Sequence, residues 1–213
     1  MVKKYLKRFV YFGIAIGFVI VATYVAGTFN PNDHVITRIE DEFHKKEMKI
    51  IEELGLKEPE FEFTDKTSFI NATSNCVAYL NWTTDKEKRV PISIIIAMAG
   101  IESAWGTSRF AREGNALFGV RTWNLNTPHM KPLDLPKARF GVKKYTTKCE
   151  SIRDMIRILN THPAYEKFRI EREKQLETGK WNYRPLMMGM TAWSTNPDYA
   201  EIILQTIVAN DLP

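Results

Sequence analysis

Glu102 closes an apolar run, Ile92-Ser-Ile-Ile-Ile-Ala-Met-Ala-Gly-Ile-Glu-Ser-Ala-Trp105, and no other residue is so placed for chemistry. Helical spacing sets Ile95, Ala99, Glu102 and Ser103 on one face, so the carboxyl is expected among buried neighbours. An ionised carboxylate out of water is expensive, and a raised pKa is the usual relief. A glutamic acid still protonated near neutrality can protonate a leaving oxygen, the task of the acid in glycosidic bond cleavage. The plainer alternative is a helix-end Glu that turns to solvent or pairs with Arg109 or Arg112.

The other reactive side chains point to less. Cys76 and Cys149 lie 73 residues apart without a Cys-x-x-Cys or Cys/His spacing, so zinc is not expected. Two separate buried thiols are the default for them; a disulfide becomes available if the domain lies outside the cytosol. His34, His44, His129 and His162 are scattered, with no ligand spacing, and no metal or organic cofactor is expected.

The elements that position Glu102 belong to a chain of ordinary globular composition, 213 residues with 44% hydrophobic and 26% charged. The formal charge of +5 looks basic until it is located. Residues 1–8 hold Lys3, Lys4, Lys7 and Arg8 and no acid, which leaves +1 for the remainder. A nucleic-acid partner is therefore not expected.

After that basic tail, residues 9–29 carry no charge and as a helix reach about 30 Å, enough for a bilayer core. The charge bias keeps the N-terminus in the cytoplasm, so a single-pass anchor in the cytoplasmic (inner) membrane is expected, with the rest on the periplasmic or extracytoplasmic side. The alternative is a signal peptide cleaved near Val25-Ala-Gly27, releasing the protein to the periplasm. Gly13 and Gly17 form a small-xxx-small pair that could join two such helices as a homodimer.

Residues 30–59 read as an amphipathic stalk helix followed by a linker that runs to residue 65. A helix is expected over 67–82, and Pro91 opens the helix that ends at Glu102. Gly106, Gly114 and Gly119 punctuate an irregular stretch, and residues 121–147 suggest a strand pair or hairpin. Helical patterning returns at 151–161, 164–177 and from 197 onward. The fold class is mainly α (α+β), with the functional domain over residues 60–213.

Three blocks carry a resemblance: IESAWGTSRFAREGNALFG (101–119), LNTHPAYEKFR (159–169) and WSTNPDYAEII (193–203). They closely resemble the Bax-type branch of the bacterial peptidoglycan glucosaminidases, glycoside hydrolase family 73, over most of residues 90–210. The resemblance implies a lysozyme-like helical lobe with a small β-hairpin lobe and a cleft between them. It implies that Glu102 is the catalytic acid and that the cleft holds cell-wall glycan, cut after N-acetylglucosamine. Sugar rings stack on aromatics while polar groups fix their substituents. Trp105, Phe118, Trp123, Tyr145 and Trp193 are accordingly the candidate substrate aromatics, with Asn115 beside them and Tyr199 as a matched catalytic tyrosine.

Two departures from the family pattern stand out. The first tyrosine of its Tyr-Ala-Thr-Asp-Pro-x-Tyr block is Trp193 here, so a phenol is replaced by an indole. Many members also place a water-activating carboxylate in the β-lobe, where this chain offers only Asp134 between Arg121 and Lys144. If Asp134 does not serve, the substrate's own N-acetyl oxygen could attack. A lytic transglycosylase and a glycan-binding module with weak catalysis are the alternatives.

Overall fold

The computed structural model describes Tyr11, residues 13–22, Arg38, Glu42, Lys45, Lys46 and residues 49–213 apart from Leu125. The chain forms two compact units, Met1–Leu54 and Gly55–Pro213.

In the first unit, Tyr11 and residues 13–22 are helical and exposed, and no described residue comes within 4 Å of a Cβ built at Gly13 or Gly17. Among the described residues no helix is long and apolar enough to cross a membrane; the remainder of the expected 9–29 span lies outside them. The described part of the stalk is helical, with Arg38–Glu42 and Lys49–Glu53 paired one turn apart, until Gly55 takes a left-handed φ of 60°.

The second unit is built around a helix that is apolar on every side. α1 (Lys66–Thr83) starts at a capping box in which Asp65 and Ser68 satisfy each other's backbone N–H groups. α2 (Ile92–Ser103) is buried from Ser93 through Gly100 and packs on α1 and on α7 (Tyr199–Ala209). α3 (Arg109–Gly114), α4 (Lys148–Thr161), α5 (Glu166–Thr178) and α6 (Tyr183–Met188) complete the helices, and the short α3 and α6 gave no periodicity to read. Pro91 is the cap before α2 rather than its first residue.

The β excursion is a three-stranded antiparallel sheet, where the sequence suggested a strand pair or hairpin. β1 (Arg121–Thr122) and β2 (His129–Met130) flank β3 (Gly141–Lys143), with Thr122 opposite Gly141 and Met130 opposite Val142. Strands of two or three residues are too short to show alternation. The sheet is tied to the helices through Asp154 of α4, which accepts from Tyr145 Oη at 2.7 Å and Lys143 Nζ at 3.0 Å and pairs with Arg157. Burial opposes ionisation of Asp154, but Arg157 and Lys143 overcome it and hold the carboxyl below its ordinary value.

Because that folded-state pKa is depressed, the stabilisation is complete above the unfolded value, near 4, and fades as pH falls through the lower folded one. Asp154→Asn is expected to lower stability by about 3 kcal/mol at neutral pH, since it leaves two cations beside a neutral group. Urea titrations of parent and variant check this: the difference is expected to shrink steadily below pH 4.

Cys76 of α1 and Cys149 of α4, both fully buried, form a disulfide with their Cα atoms 5.5 Å apart. The default of two separate thiols is corrected: α1 and α4 pack together, which brings these positions face to face. The expected linker over 57–65 is also more than a connector. Phe61 and Phe63 pack edge-on against each other and against Phe69 of α1, with ring centroids 5.2–5.9 Å apart.

Candidate active site

α2 stops abruptly one residue after Glu102. Ala104, Trp105 and Gly106 take consecutive left-handed φ values of 50°, 55° and 83°. Trp105 N–H returns to the Gly100 carbonyl at 2.7 Å, and Ser103 Oγ accepts from Gly106 N at 2.8 Å, so the sharp exit is fully hydrogen-bonded. Side chains with a Cβ resist this region by roughly 1 kcal/mol, while glycine does not. Ala104→Gly is therefore expected to raise stability by about 0.5–1 kcal/mol, read as an increase in Tm. Gly106 has the opposite constraint, because a Cβ there would meet the Phe63 ring.

That exit puts Glu102 where the helix leaves the core, and here one expectation is overturned. Ile95, Ala99 and Ser103 are fully buried, but Glu102 is exposed. At 100° per residue Glu102 lies about 20° from Ile95 on that face, so its exposure comes from its place in the last turn, where the helix leaves the core. Burial of the carboxyl is thus not the basis of its role. Pairing with Arg109 is not seen either, since that side chain reaches Glu113 and the carbonyl of Lys131.

What defines Glu102 is a pair of donors from the far end of the chain. Tyr199 Oη donates to Glu102 Oε1 at 2.8 Å and Trp193 Nε1 donates to the same oxygen at 3.0 Å. α7 packs on α2, so its first residue, Tyr199, stands over the end of α2. Tyr199 is only 8% exposed. Burial first, and then the facing Glu102 carboxylate, push its phenol far above the ordinary value, so it remains a proton-bearing donor wherever proteins are stable.

The remaining expected residues divide. Trp123, 66% exposed and 6.1 Å from the Phe140 ring, offers a free aromatic face on the β-lobe. Trp105 is half-buried; its ring lies over Gly100, edge-on to Phe69 at 6.0 Å, with Lys66 Nζ 4.3 Å from its centroid. Phe118, at 2% exposure, is a core residue, which corrects its assignment to the cleft: the 115–119 turn is drawn inward where Leu117 N–H meets Ser151 Oγ. Asn115 caps α3 in a left-handed conformation and spends its amide on the carbonyls of Tyr145 and Thr146, with Lys148 on its oxygen. Tyr145 has its hydroxyl committed to Asp154. Asp134 is exposed in the turn between β2 and β3 and has no hydrogen bond or ion pair among the described residues.

Tyr165 was not anticipated as a site residue. Its ring is 5% exposed, stands 6.5 Å from that of Trp193, and its hydroxyl has no partner among the described residues. The sequence signal was only its place in the 159–169 block, since a lone tyrosine after Pro163 carries no chemical spacing.

Comparison with known proteins bears on the family and the fold. Residues 81–212 match the family model named Glucosaminidase, described as mannosyl-glycoprotein endo-beta-N-acetylglucosaminidase. The chain is similar to Protein bax of Escherichia coli (strain K12), 36% identical over 83 residues, 39% of this chain and 28% of that protein. It is also similar to Exo-glucosaminidase LytG of Bacillus subtilis (strain 168), 29% identical over 126 residues, 56% of this chain and 44% of that one. The matches thus span less than half the length of each relative. Among solved structures, the catalytic domain of the autolysin Auto from Listeria monocytogenes is similar with a TM-score of 0.52 at 22% identity, covering 74% of this chain and 88% of that one. A peptidoglycan hydrolase from Sphingomonas sp. A1 gives 0.51 at 20% identity, covering 70% and 90%. At such identities the likeness establishes the fold.

Proposed function

We propose, for a chain that belongs to the glucosaminidase family and to its Bax-type branch, a peptidoglycan hydrolase that cuts the glycan after N-acetylglucosamine with Glu102 as proton donor. The observation that carries the reading is the convergence of Trp193 and Tyr199 on the Glu102 carboxyl at the end of α2. A surface glutamate without a function has no need of two aromatic donors brought from 91 and 97 residues away. The relatives' names support the substrate class: one is an exo-glucosaminidase, and one structural neighbour is a peptidoglycan hydrolase.

In this reading the half-buried Trp193 and the exposed Trp123 present ring faces to sugars, and Glu102 protonates the bridging oxygen. As charge returns to the carboxylate, donors already aimed at it meet that charge without reorganising. The exposed Asp134 is the β-lobe acid that could activate water; the substrate's N-acetyl oxygen is the alternative nucleophile.

The disulfide supports a site of action outside the cytoplasm, where such bonds persist and where cell-wall glycan lies. The uncharged stretch at 9–29 behind four basic residues supports attachment to the cytoplasmic membrane. Incubation of the full chain with purified sacculi tests the activity: soluble fragments and new reducing ends are expected. Tight binding with no new ends would show a glycan-binding module instead.

A further inference from the structure

Both donors to Glu102 fall on one of its two carboxyl oxygens. Tyr199 Oη and Trp193 Nε1 reach Oε1, and Oε2 has no partner among the described residues. A carboxyl oxygen has two lone-pair sites, so two donors occupy Oε1 fully. A proton placed on Oε1 would point at hydrogens already there.

We infer that Oε2 is the oxygen that carries and delivers the proton, and that Trp193 is the positioning residue that fixes this choice. The inference rests on Glu102 being the proton donor. Tyr199 alone, at one bond, leaves the carboxyl free to turn about that contact; the indole N–H from a second direction removes the freedom. Trp193 lies beside the buried Tyr165 ring, centroids 6.5 Å apart, and carries its N–H on a rigid indole rather than on a flexible chain. This gives a physical role to the residue at which the chain departs from the family's tyrosine. Where that pattern has a phenol, this chain places an indole N–H on the acid.

The step balances as follows. The proton on Oε2 moves to the bridging glycosidic oxygen while the bond from that oxygen to the anomeric carbon breaks. The bonding pair stays on the departing oxygen, which leaves as an alcohol. Water, directly or after the substrate's N-acetyl oxygen, supplies the electron pair to the anomeric carbon. The proton that water gives up restores the Glu102 acid. Through the step Trp193 and Tyr199 remain on Oε1 and meet the charge that develops there.

Two substitutions in the full chain separate this role from sugar stacking. Trp193→Phe keeps an aromatic face and deletes the N–H; Trp193→Tyr restores a donor. On a soluble peptidoglycan oligosaccharide, Trp193→Phe is expected to lower kcat about ten-fold or more with KM changed by no more than about two-fold. Trp193→Tyr is expected to recover most of that loss. A loss confined to KM, or a tyrosine variant no better than phenylalanine, overturns the inference. Infrared difference spectra (parent minus Glu102→Gln, at acid pH) give a second readout that needs no turnover. The Glu102 C=O stretch is expected low in the parent and higher in Trp193→Phe; an unchanged stretch also overturns it. If Glu102→Gln itself keeps the parental rate, the proposed function fails, a result distinct from failure of the positioning role.

Discussion

Glu102→Gln is expected to abolish fragment release from sacculi, with a fall of at least about 10³-fold in rate and an unchanged Tm. The amide keeps the size of the carboxyl and can still accept from Trp193 Nε1 and Tyr199 Oη through its oxygen. It cannot release a proton to a leaving oxygen. A drop of that size is about 4 kcal/mol of transition-state stabilisation, more than positional or stacking effects at a surface residue supply. The unchanged Tm follows from exposure: Glu102 contributes no buried area to the core. Parallel measurement of dye release from labelled sacculi and of thermal melting checks both halves.

The second large effect is on stability. The disulfide joins α1 to α4 across 73 residues, and closing a loop of that length removes chain entropy from the unfolded state worth about 4 kcal/mol. Cys76→Ala with Cys149→Ala is expected to lower unfolding free energy by that order, and reduction of the parent with dithiothreitol by a similar amount. Urea unfolding with and without reductant measures it. Activity on sacculi at 25 °C is expected to survive, because neither cysteine contacts Glu102, Trp193 or Tyr199.

The legible parts of the fold were those with strong local signals. α1 was visible in its apolar spacing, and α2 in its unbroken apolar run after Pro91. α3, α6 and the three strands have six residues or fewer, too short for a period to emerge. The docking of Phe61 and Phe63 is a tertiary event with no local pattern, so their segment reads as linker.

The candidate site was legible for a different reason. Glu102 stands out by its place at the end of an apolar run, whereas Trp193 and Tyr199 emerge only from whole matched blocks, because no local rule joins them to Glu102 across 91 and 97 positions. Glu102 lies on the helix its spacing implies, yet it is exposed rather than buried. A helix that is apolar on all sides still ends somewhere, and its last turn emerges from the core. Phe118 shows the complementary error, since an aromatic residue beside a motif serves core packing as readily as sugar binding.

The identity of the sugar at each newly made chain end tests the central claim most directly. Sacculi digested with the full chain, reduced with borohydride and hydrolysed in acid, are expected to yield glucosaminitol, from N-acetylglucosamine ends, as the new alcohol. Muramic-acid ends, whether reduced or in 1,6-anhydro form, would contradict the account.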